Sequence, residues 1–129
     1  MPDSQIFETG LSIDLKKYRI RLYKSALHQI GDPKYIQLLV NPFRMAVAVR
    51  AVESDGAEAQ AHKVSSRLMS SSNSVEIYSR AFVEKLCAVI GGLDPKYTYL
   101  LSGTVLPEKK LAVFSLKTIR KHIEGETGL

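Results

Sequence analysis

The sequence has no tryptophan, one cysteine and three histidines, and these shortages exclude several kinds of site. Cys87 has no second cysteine for an internal disulfide bond, and we expect it to be a small buried hydrophobic residue. His28, His62 and His122 are scattered and lack the paired spacing of a metal site. We therefore expect no structural or catalytic metal and no other cofactor.

An exposed nucleophile is also lacking. No serine, cysteine or threonine lies in an elbow or a glycine-flanked turn of the kind that presents a catalytic nucleophile. Gly91-Gly92 follows a predicted helix, whereas the backbone N–H groups that cradle phosphate lie at a helix start. We therefore expect a protein that is not an enzyme and has no catalytic residue.

Long apolar segments are missing as well, because no run approaches the roughly 20 residues that span a bilayer. The N-terminal residues 1–5 have neither the basic start nor the apolar stretch of a signal peptide. These absences predict a cytoplasmic protein without a membrane partner. The length of 129 residues suits a single domain, 1–129, with enough apolar residues for a core.

What the sequence does contain is an internal repeat. The tetrapeptide Asp-Pro-Lys-Tyr occurs at 32–35, directly after Ile-Gly, and again at 94–97, two residues after Ile-Gly. A Leu-Leu pair follows both copies at the same offset. We interpret this as a duplication with halves at 17–52 and 74–116, joined by a polar linker at 53–73. Each tetrapeptide is interpreted as a turn, because Asp-Pro favours a turn and the tyrosine then opens a strand.

Local patterns predict the elements of each half. Residues 17–23 alternate between apolar and basic, which predicts a half-buried strand. A helix follows in each half, the second one capped by Ser79 and ending near Ile90, and an antiparallel hairpin comes next. The linker is expected to hold one edge strand near Lys63. The helical spacing of the apolar residues in 115–124 predicts a C-terminal amphipathic helix.

The repeated order predicts an α+β fold in which both halves contribute a strand, a helix and a hairpin to one antiparallel sheet, with both helices on one face. In this pattern the chain resembles the duplicated saddle of the TATA-binding protein and the sliding-clamp domain. A ferredoxin-like arrangement is the alternative. The halves differ in charge, since Arg21 in the first corresponds to Glu76 in the second, and this counts against a symmetric two-sided grip on nucleic acid.

The net charge of +5 permits a polyanionic partner. The predicted first strand exposes three basic residues on one face, and the predicted last helix exposes three more. We hypothesise a small nucleic-acid-binding or regulatory protein that uses these six residues. They are Lys17, Arg19 and Arg21 on the strand, and Lys117, Arg120 and Lys121 on the helix.

Two alternatives stay open. The basic faces could simply be solvated. The strand at 45–52 is apolar on both faces, which favours a homodimer, and the chain could instead be a homo-oligomeric protein-interaction or adaptor module without affinity for nucleic acid. An aromatic platform for stacking bases is possible only in the second half, where Tyr97 and Tyr99 share a strand face with Leu101.

Overall fold

The computed structural model describes residues 7–53, 61–64 and 73–122, and every strand in it belongs to one antiparallel sheet. Strands hold 54% of these residues and helices 20%. The strands are β1 (Phe7–Asp14), β2 (Arg19–Tyr23), β3 (Tyr35–Asn41), β4 (Ala46–Val52), β5 (Ala61–Lys63), β6 (Ser74–Tyr78), β7 (Thr98–Leu106) and β8 (Leu111–Lys121). The helices are α1 (Lys24–Gln29), α2 (Arg80–Ile90) and a short 3-10 turn at Pro107–Lys109.

The sheet curls into a nearly closed barrel. Its strand order is β5-β3-β4-β8-β7-β1-β2-β6, so that β5 and β6 form its two edges. An eight-stranded sheet that is apolar on one face buries that face by curling round on itself. Helix α2 follows the edge strand β6 and packs on β3, which is the neighbour of the other edge strand. The helix thus bridges the opening between the two edges.

Alternate residues of the strands fill the interior of the barrel. In β2, for example, Ile20 and Leu22 are fully buried, while Arg19 and Arg21 point outward and are partly exposed. Each fully buried large aliphatic or aromatic side chain contributes roughly 1.5–3 kcal/mol to folding. The largest fully buried side chains are Phe114, Leu11, Ile13, Ile20, Leu22, Leu27, Ile36, Leu86, Leu101, Leu116, Val47 and Val49.

The two helices differ in how they are held. In α2 the Ser79 side chain caps the helix by accepting a hydrogen bond from the backbone N–H of Phe82 (3.2 Å), as predicted, and Gly91 ends the helix with a φ of 76°. The short α1 has no side-chain cap. Because so short a helix is not stable alone, α1 depends on burying Ala26 and Leu27 against the barrel.

The order of elements is the same in the two halves of the chain. The first half runs β2-α1-β3-β4 and the second runs β6-α2-β7-β8. The first strands of the two halves, β2 and β6, pair with each other, and so do the last strands, β4 and β8. Strand β1 lies between β7 and β2 and pairs with both.

The expected fold class is wrong. The helices do not share one face of an open sheet, and neither the saddle, the clamp-like fold nor the ferredoxin-like alternative is observed. The reason lies in β1, which pairs on one side with β7 of the second half and on the other side with β2 of the first half. This pairing turns two small sheets into one continuous sheet, and local periodicity carries no information about such long-range pairing.

The predicted C-terminal helix at 115–124 is also wrong, because β8 continues as a strand to Lys121. Its pairing with β7 shifts from Ser102↔Ser115 to Leu100↔Arg120, so β8 contains a bulge of several extra residues. Inside the bulge Leu116 is buried, and three residues later Ile119 packs against the core. The bulge therefore produces the three-residue spacing of apolar side chains that is also typical of a helix. Residues 123 and 124 lie outside the described part.

The predicted linker at 53–73 holds the short strand β5, which pairs with β3 at the sheet edge through Tyr35↔Lys63. The linker segments at 54–60 and 65–72 lie outside the described residues. Within the part of the chain that the structure covers, no helix has the length and apolar character needed to cross a membrane.

Candidate functional site

Arg19 and Arg21 lie on the outer face of β2, where two carboxylates accompany them. Arg19 lies 3.3 Å from Asp14 of β1 and 3.6 Å from Glu76 of β6, measured between nitrogen and oxygen. Arg21 donates from Nε (3.2 Å) and Nη2 (2.7 Å) to Oε2 of Glu76. Two cations and two anions therefore balance on this face. We call these four residues, Arg19, Arg21, Asp14 and Glu76, the paired face.

The paired face keeps Glu76 ionised. Hydrogen bonds from Arg21 lower the pKa of the Glu76 carboxyl below its ordinary value of 4.5, and the charges of Arg21 and Arg19 lower it further. The hydroxyl of Tyr78 adds a donor to Oε1 at 3.3 Å. Partial burial acts in the opposite direction but is the weaker effect overall. The two arginines therefore meet a full negative charge at neutral pH.

Lys17 lies in the turn between β1 and β2 rather than in a strand. Asp14 forms this turn, because its Oδ1 accepts hydrogen bonds from the backbone N–H groups of Lys16 (3.0 Å) and Lys17 (3.2 Å). Both lysine side chains are exposed. The turn therefore presents two neighbouring cations to solvent.

Lys117, Arg120 and Lys121 are exposed residues of β8. Lys117 lies in the bulge, where its backbone N–H donates to the hydroxyl of Ser115 (3.2 Å). Arg120 and Lys121 follow the bulge and lie opposite Leu100 and Tyr99 of β7. These three cations are therefore carried by a strand instead of a helix face.

The strand register brings the turn and the end of β8 together. Asp14, just before the turn, pairs with Thr98 at the start of β7, and the next residue of β7 pairs with Lys121. The turn and Lys121 are thus about two strand spacings, or roughly 10 Å, apart. Lys96 is exposed in the loop that enters β7. We call this set the basic edge, and its members are Lys16, Lys17, Lys96, Arg120 and Lys121.

Two of these cations were not singled out from the sequence. Lys16 and Lys96 look like ordinary solvated lysines, and Lys17 and Lys121 are separated by most of the chain. Only the strand order β8-β7-β1-β2 makes them neighbours. No local signal in the sequence could have identified the set. Whether the six predicted residues bind a polyanion stays a prediction.

Two tyrosine rings at this edge lie against cations. The Nζ of Lys121 is 4.3 Å from the centre of the Tyr97 ring, and the guanidinium carbon of Arg80 is 5.3 Å from the centre of the Tyr18 ring. Tyr97 is 38% exposed. Tyr99, by contrast, is buried, and its hydroxyl accepts a hydrogen bond from the backbone N–H of Asp94 (2.9 Å). Tyr97 and Tyr99 therefore do not form a common exposed platform.

The second Asp-Pro-Lys-Tyr forms the turn that positions Lys96 and Tyr97. Oδ1 of Asp94 accepts a hydrogen bond from the backbone N–H of Lys96 (2.9 Å), and the Asp94 carbonyl accepts one from Tyr97 (3.1 Å). This is the turn geometry that aspartate favours. The carboxylate thus shapes the loop that holds the lysine and the ring outward.

Other chemistry has little support in the part of the chain described. Among those residues, no group of three His, Cys, Asp or Glu side chains could hold a metal ion. Cys87 is partly buried, and burial raises the pKa of its thiol, which disfavours the reactive thiolate. A cavity of about 340 Å³ lies between α2 and β3, with His62 and Lys85 in its lining. Burial lowers the pKa of His62, which favours the neutral imidazole there.

A second concave surface lies on the outside of the barrel at the β3–β4 hairpin. This groove of about 540 Å³ is lined by Leu39, Ala48, Val113 and Phe43 among others. Phe43, at the hairpin tip, is 97% exposed, and Leu39 is 40% exposed. The outer side of the first part of β4, formed by Ala46 and Ala48, is therefore apolar.

No protein-family model, curated protein sequence or solved structure shows a significant match to this chain. No relative therefore supplies a function, and the side chains themselves carry the inference.

Proposed function

We propose that this protein binds nucleic acid and that the basic edge holds the phosphates. The observation that carries the proposal is the convergence of four exposed lysines, Lys16, Lys17, Lys96 and Lys121, from three separate segments at one end of the barrel. Within residues 7–53, 61–64 and 73–122, the four lysines of this edge form no ion pair. Exposed cations without acidic partners are what a phosphate backbone attracts.

The acidic residues near the edge support the proposal. Asp14 and Asp94 use Oδ1 to accept backbone N–H groups, and in this way they hold Lys16, Lys17 and Lys96 outward. The charge of Asp14 is also balanced by Arg19. The two carboxylates therefore act mainly on the loop conformation, and the edge keeps an excess of positive charge.

The proposal is tested by fluorescence anisotropy with short labelled oligonucleotides, single-stranded and duplex, at several salt concentrations. If the four lysines each neutralise one phosphate of a single strand, the logarithmic salt slope is about −2.8. The affinity then falls roughly fiftyfold between 50 and 200 mM salt. No detectable binding to any oligonucleotide at 50 mM salt contradicts the proposal.

A charge-matched pair of variants locates the site. Lys17→Ala, Lys96→Ala and Lys121→Ala together should reduce the magnitude of the slope by about 2, since three phosphate contacts are lost. The control combines Lys34→Ala, Lys63→Ala and Lys109→Ala. These changes remove three exposed lysines at the opposite end of the barrel. The control should bind like the unaltered protein. Equal losses in the two variants would mean that total charge matters and the edge does not.

A protein-interaction module is the second candidate, and the exposed Phe43 is the observation that favours it. A large ring that is 97% exposed beside an apolar groove is typical of a surface that another protein covers. A homodimer that buries this hairpin fits the same observation. Sedimentation at micromolar concentration tests it: a dimer that Phe43→Ser dissociates supports this candidate, and a strict monomer contradicts the homodimer.

A further inference from the structure

We infer that the nucleic acid at the basic edge is single-stranded and that one of its bases stacks on the ring of Tyr97. This inference rests on the proposed function, because it names the ligand class of the same edge. A phosphate site made of lysines alone accepts duplex and single strand alike. The tyrosine rings among the cations are the feature that distinguishes between them.

The position of Tyr97 suits a stacking platform. The residue precedes β7 by one position and is 38% exposed, whereas Tyr99, two residues on, is buried. Lys121 lies 4.3 Å from the ring centre and can pair with the phosphate next to a stacked base. The neighbouring Lys96 is exposed on the same loop. One ring is thus accompanied by two cations within a few residues.

Tyr18 lies a short distance along the edge, where it is partly buried against the core. Its ring lies 5.3 Å from the guanidinium carbon of Arg80, which also pairs with Glu84 at 3.0 Å. Tyr18 leads into β2, and Tyr97 leads into β7, with only β1 between those two strands. The two residues therefore enter the sheet about 10 Å apart. An extended strand that follows the edge passes both rings and the lysines that lie between them.

The stacking of bases excludes a duplex as the preferred ligand. Inside a double helix the faces of each base are covered by the bases above and below it, so a protein ring has no access to them. A single strand can turn its bases outward, and every base offers a flat face to a ring. Rings interleaved with cations therefore favour a single strand, with little dependence on sequence.

The test compares ring variants against three probes of equal length: single-stranded oligothymidylate, single-stranded oligouridylate and a DNA duplex. Tyr97→Ala should weaken binding to the single strands about fivefold to a hundredfold, because stacking on one ring is lost. Tyr97→Phe keeps the ring and should bind like the unaltered protein. The salt slope should be the same in all of them, since no charge is removed.

The melting temperature of each variant controls for folding. Should Tyr97→Ala be unfolded, Tyr97→Leu retains an apolar side chain without a flat ring and gives the same test. Weaker binding of single strands by both ring-deleted variants, with duplex binding unchanged, supports the inference.

The failure of this inference is distinguishable from the failure of the proposed function. Binding that depends on Lys17, Lys96 and Lys121 but ignores the ring of Tyr97, or that favours duplex, overturns the single-strand inference and leaves the proposed function intact. The absence of any binding overturns both. Intrinsic fluorescence gives a second readout, because the chain has six tyrosines and no tryptophan. Stacking at Tyr97 should quench part of this emission, and Tyr97→Phe should remove the quenched part.

Discussion

The paired face and the basic edge both carry several cations, yet they differ in what lies opposite. On the paired face Arg21 meets Glu76, which is 55 residues away in the chain, at 2.7 Å. At the basic edge the ammonium groups of the lysines form no ion pair within the part of the chain that the structure covers. The comparison teaches that the charge of a strand face is decided by the neighbouring strand. A run of basic residues in one strand does not by itself make a basic surface.

Gly103→Ala should have the largest effect, because it displaces β8, the strand that carries Arg120 and Lys121. A Cβ at Gly103 would lie 2.2 Å from the carbonyl oxygen of Val113 and 2.9 Å from the Cα of Phe114. Both are backbone atoms of β8, so that strand must shift. We expect a loss of about 3 kcal/mol in the free energy of unfolding, measured by urea denaturation.

The control for Gly103→Ala is Ser102→Ala, the exposed neighbour in β7. It should change the free energy of unfolding by less than about 0.5 kcal/mol. If Gly103→Ala is equally mild, β8 can adjust without cost and the close approach of the two strands is not tight. The paired face should be unaffected by either variant, since it lies on β1, β2 and β6.

Glu76→Gln should convert part of the paired face into an extension of the basic edge. The glutamine keeps a hydrogen-bond acceptor for Arg21 but removes the negative charge opposite it, whereas Arg19 keeps its ion pair with Asp14. If Arg21 then reaches one further phosphate, the salt slope for single strands becomes steeper by about 0.7. Affinity at 50 mM salt should rise with it, as anisotropy would show.

Glu108→Gln is the matched control for this change, because it also removes one negative charge, but at the opposite end of the barrel. It should leave the salt slope unaltered. An unchanged slope in Glu76→Gln would mean that Arg21 contacts no phosphate even after its ion pair with Glu76 is removed.

The acid stability of the protein should depend on Glu76 in a defined direction. The folded pKa of this carboxyl lies below its ordinary value of 4.5, so the unfolded chain binds more protons between those two values. The stabilisation by Glu76 is therefore fully present above about pH 4.5 and is lost as the pH falls through the folded pKa. Because the group is partly exposed, we expect no more than about 1 kcal/mol.

Urea denaturation of the unaltered protein and of Glu76→Gln, at a series of pH values, measures this contribution. The two unfolding free energies should differ most at neutral pH and converge below pH 4.5. A difference that persists in acid would show that the glutamine acts on packing and not through the ion pairs.

Phe43→Ser should have the smallest effect on folding and on the basic edge. The side chain is 97% exposed, so its removal should change the free energy of unfolding by less than about 0.5 kcal/mol. Binding to oligonucleotides should also be unchanged. A clear loss of stability at micromolar concentration, with a change in sedimentation, would instead show that a second copy covers this ring.

Local elements could be predicted from the sequence where one pattern dominated. Ser79 followed by the apolar stripe of α2 specified that helix and its cap. The turn composition of residues 41–44 predicted a hairpin between the strands now seen as β3 and β4, and their antiparallel pairing is confirmed. The barrel could not be predicted, because it depends on β1 pairing with β7 from the other half of the chain. Ladder hydrogen bonds join backbone atoms of any residue, and so they leave little trace in the sequence.

The candidate site was predictable only in part. Lys17, Arg120 and Lys121 were identified from the sequence, but as members of two separate faces. Arg19 and Arg21 were identified from alternation, which reports the direction of a side chain and not its partner. The bulge at Leu116 misled the prediction at the C-terminus, since an insertion in a strand shifts the apolar spacing from two to three.

The pair of Arg21 and Glu76 has a further consequence for how the two halves recognise each other. Each residue stands two positions before the tyrosine that ends its strand, Tyr23 or Tyr78, and the two lie directly opposite in the β2–β6 ladder. A position that faces its own equivalent lies on a local twofold axis. Two identical halves would place like charges there and repel one another, whereas a single chain can carry arginine in one half and glutamate in the other. Opposite charge at the axis thus favours the pairing of a first half with a second half over the pairing of two first halves or two second halves.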